Sequence, residues 1–224
     1  MGLKVGVVCE GSHDYNVLKR FISQIIREYG ETLDTIECLQ PTVSATFQVG
    51  AGGWAQVRAW CMRNGGQGYR VYLDKPLFAT SIHYDILVLH LDGDVVTHCD
   101  SEPLSGVRAD TMSVSEIITA IKSAIRDHWL KIEEHHEERI VVAAPVRHLE
   151  AWLSAAIGPA LADHEIIDTK ELFRAGPASS YSGEWREKYI VAATVATTRT
   201  DAIKRACLSY RTFEADLRAS AESA

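Results

Sequence analysis

DILVLHLDGD, residues 85–94, runs from an apolar segment straight into Asp-Gly-Asp. Between Asp85 and Leu91 apolar side chains fill nearly every position, so neither face is left for solvent. That is the pattern of a strand covered on both sides in a parallel sheet. His90, inside this run, reads more readily as a satisfied core histidine than as a ligand. Asp92-Gly93-Asp94 has two readings. It is a turn, where Asp and Gly are favoured, or it is a pair of carboxylates delivered to the carboxyl edge of a sheet, where open α/β folds gather their ligands.

Two further segments share the pattern. LKVGVVC, Leu3–Cys9, is an apolar run that turns at Glu10-Gly11-Ser12, and IVVAA, Ile140–Ala144, is stopped by Pro145. Thr35–Leu39 is a weaker strand candidate. Helical spacing links these runs. Val17, Leu18, Phe21, Ile22, Ile25 and Ile26 follow Ser12, a candidate N-cap, and stop at Gly30. Val57, Trp60 and Cys61 mark a second helix, and Ile117, Ile118, Ile121, Ile125 and Trp129 a third. Leu149, Trp152, Leu153 and Ala156 mark a fourth, ending near Gly158-Pro159. A last helix is expected over Arg199–Leu217, followed by an Ala/Ser/Glu tail that should fray. Asp163–Ala193 is weakly patterned and expected to be loop-rich. Strands alternating with helices predict an α/β fold with a mostly parallel sheet, helices on both faces and a C-terminal helical extension. The division expected is residues 1–160 for the α/β domain and 161–224 for an extension packed on it.

Composition narrows the classes. The chain has 224 residues, 46% hydrophobic, a formal net charge of -7 and a mean hydropathy of -0.06. This suffices for one buried core and is too apolar for a disordered chain. No run of eighteen or more apolar residues suggests a membrane span, and the N-terminus does not read as a signal peptide, so a cytoplasmic location is expected. The five cysteines, Cys9, Cys38, Cys61, Cys99 and Cys207, show no C-x-x-C spacing and read as reduced and mostly buried. The negative charge argues against a broad nucleic-acid-binding face, but leaves room for an acidic metal site whose cations neutralise it.

The three apolar strands each lead to carboxylates: Glu10 and Asp14, then Asp92 and Asp94, then Glu150. Gathered at one edge they would repel unless cations sat among them, and Mg²⁺ or Mn²⁺ prefers such oxygen donors. Two ions about 4 Å apart can hold a phosphodiester and activate water. Bland readings stand beside this one. Glu10 could serve the positive end of the following helix, Asp14 could be a first-turn helix acid, and Glu150 a solvated flank. Arg147 and His148 are phosphate-contact candidates, or a surface cap at a helix start. Glu133–Glu138, with His135 and His136, lacks H-E-x-x-H spacing and reads as a solvated helix end. Gly50–Gly53 lacks the ending of a P-loop and reads as a connector. The five tryptophans read as core or interface anchors rather than base-stacking platforms.

VGVVCEGSHD, Val5–Asp14, resembles the first Toprim motif, an apolar strand followed by Glu-Gly with an Asp four residues after the Glu. LVLHLDGD, Leu87–Asp94, resembles the second, an apolar strand ending in Asp-x-Asp. RHLEAWL, Arg147–Leu153, and CLSYRTFEADL, Cys207–Leu217, are similar to segments of an uncharacterised Toprim-related bacterial family. The resemblance implies a Toprim-like domain with Glu10 as general acid/base or metal ligand and Asp92 and Asp94 as metal ligands. Similarity to nucleases of the overcoming-lysogenization-defect type adds Asp14, with Glu150 as candidate for a later Glu. It implies a Mg²⁺- or Mn²⁺-dependent nuclease acting on nucleic acid, in phage defence or a mobile element, beside an ATPase partner; a homodimer is left open. The family's catalytic lysine has no clear counterpart, with Lys19, Arg20 and Arg147 the nearest basic residues. Two alternatives stay open. One is a non-catalytic Toprim-like partner-binding module. The other is a haloacid-dehalogenase-type phosphatase, because Asp92-Gly93-Asp94-Val95-Val96 satisfies D-x-D-x-T/V with Asp92 as nucleophile.

Overall fold

The computed structural model describes residues 2–41, 53–75, 83–99, 103–105, 111–159, 161 and 163–224. Four strands form one all-parallel sheet in the order β2-β1-β3-β4: β1 (Leu3–Val8), β2 (Leu33–Gln40), β3 (Ile86–His90) and β4 (Ile140–Ala143). The register sets Val5 beside both Ile36 and Ile86, and His90 beside Ala143. β3 and β4 are buried at every position, as their unbroken apolar runs predict.

Parallel strands need crossovers, and these lie on both faces. On one face α1 (Ser12–Glu28), which links β1 to β2, buries Val17, Leu18, Phe21, Ile22, Ile25 and Ile26. They join Val5, Val7, Ile86, Val88 and Val141 in a single core. The other face receives α2 (Trp54–Arg63), α3 (Arg70–Leu73), α4 (Val95–His98) and α5 (Val114–Ser123). It packs Val57, Trp60, Ile117 and Ile121 against Leu87, Leu89 and Val142. After β1 the chain crosses to one side of the sheet, and after β2 it returns to the other. The carboxyl ends of β1 and β3 therefore flank a topological switch point, the place where open α/β sheets bind ligands.

The remaining helices are α6 (Glu150–Ile157), α7 (Thr169–Ala175), α8 (Trp185–Ala196), α9 (Thr200–Ala206) and α10 (Leu208–Ser223). They share the core of α1, where Trp152 meets Phe21 and Tyr210 edge-on at 5.9 and 5.3 Å between ring centroids. The Trp152 indole donates to Ser209 Oγ at 2.8 Å, so this large buried ring also has its polar atom satisfied.

Several expectations are corrected. The region 163–193 is not loop-rich: α7, a 3-10 turn over Pro177–Ser180 and α8 occupy most of it. The inward face of α8 is Tyr189, Ala192, Ala193 and Ala196, and alanines give little hydrophobic contrast to read. The terminal helix is two helices, broken where Cys207 takes an extended conformation with φ -124° and ψ 111°. Glu165 caps the second, accepting from the Leu208 and Ser209 amides at 2.6 and 2.9 Å. The tail stays helical to Ser223 because Ser220 and Ala221 are buried. Gly11, not Ser12, is the N-cap of α1. His136 is no part of a solvated end. It is buried in a 3-10 turn, Glu134–Arg139, with Nε2 2.8 Å from Asp74 Oδ1.

Among the described residues no disulfide links the five cysteines, and Cys38 alone among them is not buried. Among the described residues no helix is long and apolar enough to cross a membrane. Gly50, Ala51 and Gly52 of the glycine-rich segment lie outside the described residues.

Candidate metal centre

The loops that leave β3 and β4 are zipped together through their backbones. The Leu91 amide donates to Ala143 O at 3.2 Å, Gly93 to Pro145 O at 2.8 Å and Asp94 to Arg147 O at 3.3 Å. Gly93 is required here by space rather than by φ, since an added Cβ would stand 1.9 Å from Val146 O. Asp-Gly-Asp is thus a tight turn, and the close approach of the two loops is what aims its carboxylates. Asp92 Oδ1 accepts from the Leu149 amide at 3.1 Å, which pins the side chain to the start of α6.

Glu10 reaches Asp92 from the end of β1, with Oε1 accepting the Asp92 amide at 2.7 Å. Asp14, one turn into α1, and Glu150, the first residue of α6, face the same space. Glu10, Asp14, Asp92 and Glu150 line one cavity of about 240 Å³. Asp94 does not line it; it borders a neighbouring cavity of about 400 Å³ with Arg147, Glu165 and Ile166. His148 links the two. It is buried, not a surface cap, and its Nδ1 lies 3.5 Å from Asp92 Oδ2 and 3.7 Å from Asp94 Oδ2.

His90 is also a member of the site. It is fully buried with Nε2 3.2 Å from Asp92 Oδ1, too poorly aligned for a well-formed hydrogen bond, and its Nδ1 has no partner. A fully buried imidazole without a hydrogen-bond partner is uncommon, and this one stands against the Asp92 carboxylate. Two donor sets, Glu10–His90–Asp92 and Asp92–Asp94–His148, each bring their ligand atoms within 4.8 Å of one another, and they share Asp92.

The other sequence candidates fall outside. Lys19 is exposed, its ammonium 5.8 Å from the Tyr15 ring centroid, and does not line the cavity. Arg20 donates to Thr194 Oγ1 at 2.9 Å, and Arg147 is exposed beside the Asp94 cavity. The cationic wall is supplied instead by Lys170 and Arg174 of α7, which line the carboxylate cavity together with His13 and Tyr189. Residues four apart share a helix face. Phe173 is fully buried and anchors α7, while Asp168 caps its start by accepting the Lys170 amide at 3.1 Å. No sequence motif marks Lys170 or Arg174; the only signal is their i, i+4 spacing around a buried Phe. Tyr189 donates a hydrogen bond to Glu150 and stacks on His13 at 5.2 Å. Glu150 is therefore held in the site and is not a solvated flank.

Electrostatics follow from crowding. Burial, and then the negative charge of Asp92, push the Glu10 carboxyl up to about 8. Burial pushes Asp14 up to about 7; Asp92 and Glu150 add to this, while His90 and Lys170 work against it. His90 goes the other way from a lone buried histidine. Burial disfavours its charge, but Asp92, Asp14 and Glu10 outweigh that and raise it to about 9. Burial alone would raise Asp92, yet His148 and His90 hold it well below the usual carboxylate range. His148 is raised chiefly by the Asp92 carboxylate beside it. Burial and neighbouring negative charge thus disfavour ionisation of Glu10 and Asp14.

These residues fit a divalent cation. The donors are mostly carboxylate oxygens on separate elements, both ring nitrogens of His90 and Nδ1 of His148 lack hydrogen-bond partners, and burial disfavours ionisation of Glu10 and Asp14. Oxygen-rich sets with added imidazole suit Mn²⁺ as well as Mg²⁺. A third donor set, Glu133–His135–His136, is a poorer candidate. There Glu133 is paired with Arg70, and His136 is spent on Asp74 and Tyr69. Comparison with protein-family models, with curated proteins and with solved structures found no match for this chain.

Proposed function

We propose that this protein is a metal-dependent phosphodiester hydrolase of Toprim type that acts on nucleic acid in the cytoplasm. The observation that carries the reading is the meeting of Glu10, Asp14, Asp92 and Glu150 in one cavity whose other wall is Lys170 and Arg174. Carboxylates facing cations across a small space are what a phosphate and its counter-ions need: acids for the cations, bases for the non-bridging oxygens. When bound, Mg²⁺ or Mn²⁺ supplies Lewis acidity and a water acidic enough to attack near neutral pH.

The chain's own residues divide the remaining work. Asp92, fixed by the Leu149 amide and flanked by His90 and His148, is the central ligand, with Asp94 and Asp14 on either side. Glu10, held beside Asp92 by the Asp92 amide, is placed to take a proton from an attacking water once its carboxyl is ionised. Lys170 and Arg174 hold the phosphate against the carboxylates. Glu150, held by Tyr189, orients that side of the cavity.

A D-x-D phosphatase finds less support, because it would leave Glu10, which accepts the Asp92 amide, without a role. A role in defence or in a mobile element, beside an ATPase partner, remains part of the proposal on the strength of the Toprim-like motifs. The test is incubation with plasmid, linear and single-stranded DNA and with RNA, in Mg²⁺ or Mn²⁺, beside Glu10→Ala and Asp92→Ala. Cleavage by the wild type that both variants lose supports the reading. Equal activity in all three overturns the assigned mechanism.

A further inference from the structure

Trp185 opens α8 and is 43% exposed, whereas Trp60, Trp129 and Trp152 are buried. Its ring is edge-on to Tyr189 at 6.5 Å, and Tyr189 lines the carboxylate cavity. Cations surround it. Lys188 Nζ is 4.9 Å from the ring centroid and the Arg174 guanidinium 5.6 Å. Arg186 follows it in sequence, and the charges of Arg174 and Arg186 both reach His13 on the cavity wall. Acids stand among them: Glu184 precedes Trp185, Glu187 accepts the Glu184 amide at 3.3 Å within the first turn of α8, and Glu171 pairs with Arg174 at 3.6 Å, while the groups on the ring itself are cationic.

In a chain of formal net charge -7, cations gathered around one exposed indole call for a ligand that is both anionic and aromatic. Nucleic-acid strands answer both requirements, and an unpaired base has a free face to lay on the ring. A duplex keeps its base faces stacked and offers only its phosphates. We infer that Trp185 is a stacking platform for an unpaired base of single-stranded nucleic acid, with Arg174, Arg186 and Lys188 along the backbone that leads into the cavity. The incoming base displaces the Lys188 or Arg174 side chain from the ring toward a phosphate. This rests on the cavity being a phosphodiester-cleaving centre. A protein partner is the competing occupant, since Ile166 and Leu172 nearby are also exposed; the ring of cations around Trp185 favours the nucleic acid.

The experiment is fluorescence anisotropy of a labelled oligothymidylate of about twelve nucleotides, single-stranded and annealed to its complement, in low salt with Ca²⁺. The protein is wild type, Trp185→Ala or Trp185→Phe. Base–aromatic stacking predicts a loss of about tenfold or more in single-strand affinity for Trp185→Ala and most of it restored in Trp185→Phe. The Mn²⁺-induced rise in melting temperature of Trp185→Ala should persist, showing a folded chain. Equal single-strand binding by wild type and Trp185→Ala overturns the inference. So does a wild type that binds no oligonucleotide or prefers the duplex, or a Trp185→Ala that alters only self-association on gel filtration. Hydrolysis of bis(p-nitrophenyl) phosphate by the wild type, a diester with no base to stack, tests the cavity reading separately. Its failure, with Trp185-dependent binding retained, removes the hydrolase and leaves the platform.

Discussion

Glu10 and Asp92 are joined across the switch point of the sheet: Glu10 Oε1 accepts the Asp92 backbone amide at 2.7 Å. One acid at the end of β1 therefore fixes the backbone that carries another at the end of β3. The loop after β4 completes the clamp through the Leu149 amide on Asp92 Oδ1. Three strand ends are locked into one arrangement before any cation arrives.

Divalent cations should stabilise the protein through that clamp. At a free-ion concentration a hundredfold above Kd, binding contributes about 2.7 kcal/mol, a rise in Tm of roughly 5–10 °C for a chain of this size. Differential scanning fluorimetry with Mn²⁺ should show the rise in wild type and lose it in Asp92→Ala. The same rise in both proteins would place the cation elsewhere.

The metal-free protein should weaken as pH rises. Glu10 and Asp14 ordinarily lose their protons near 4.5 and 3.8, but here hold them to about 8 and about 7. The folded chain binds more protons than the unfolded one between those limits, so stability is greatest below them and is lost on the way up. His90, raised to about 9 from 6.5, contributes in the same direction. Asp92, held low, has the opposite sign, and its contribution is lost only in acid. In EDTA the melting temperature should fall from about pH 6 to about pH 9, and Mn²⁺ should restore more at the upper end, where fewer protons compete for the carboxylates. A melting temperature that climbs over this range contradicts the assignment.

Gly93→Ala should damage fold and site together. Its Cβ would meet backbone at 1.9 Å, so the paired loops must part. The expected cost is about 2–4 kcal/mol by urea denaturation, with the Mn²⁺ response lost. A change within about 0.5 kcal/mol would show that the loops are not held as described.

Lys170→Ala and Arg174→Ala should separate phosphate binding from cation binding. Each removes a charge from the cavity wall while leaving the carboxylates in place, so KM for a nucleic-acid substrate should rise about tenfold or more. The Mn²⁺-induced thermal shift should survive. Loss of that shift together with activity would make α7 part of the metal centre instead.

Most of the sheet was legible in sequence because strands buried on both faces are predominantly apolar, as residues 86–89 and Ile140–Ala143 are. The acids could be read from their place after such strands. What escaped reading was what depends on small residues and on long-range approach. Alanines line the buried face of α8, and Phe173 is the one large apolar side chain that α7 buries, so neither Lys170 nor Arg174 stood in a visible pattern. His90 is buried in the core as its apolar run implies, but the run does not show that a carboxylate stands beside it. Asp94 looked equivalent to Asp92 two residues away, but the turn at Gly93 sends it to the neighbouring cavity.

The most direct test is an anomalous difference map from crystals grown with Mn²⁺. A peak between Glu10 and Asp92, with His90 or Asp14 in the coordination sphere, is the result this account predicts. A peak only at Glu133, His135 and His136, or none at the carboxylate cavity at saturating Mn²⁺, would contradict it.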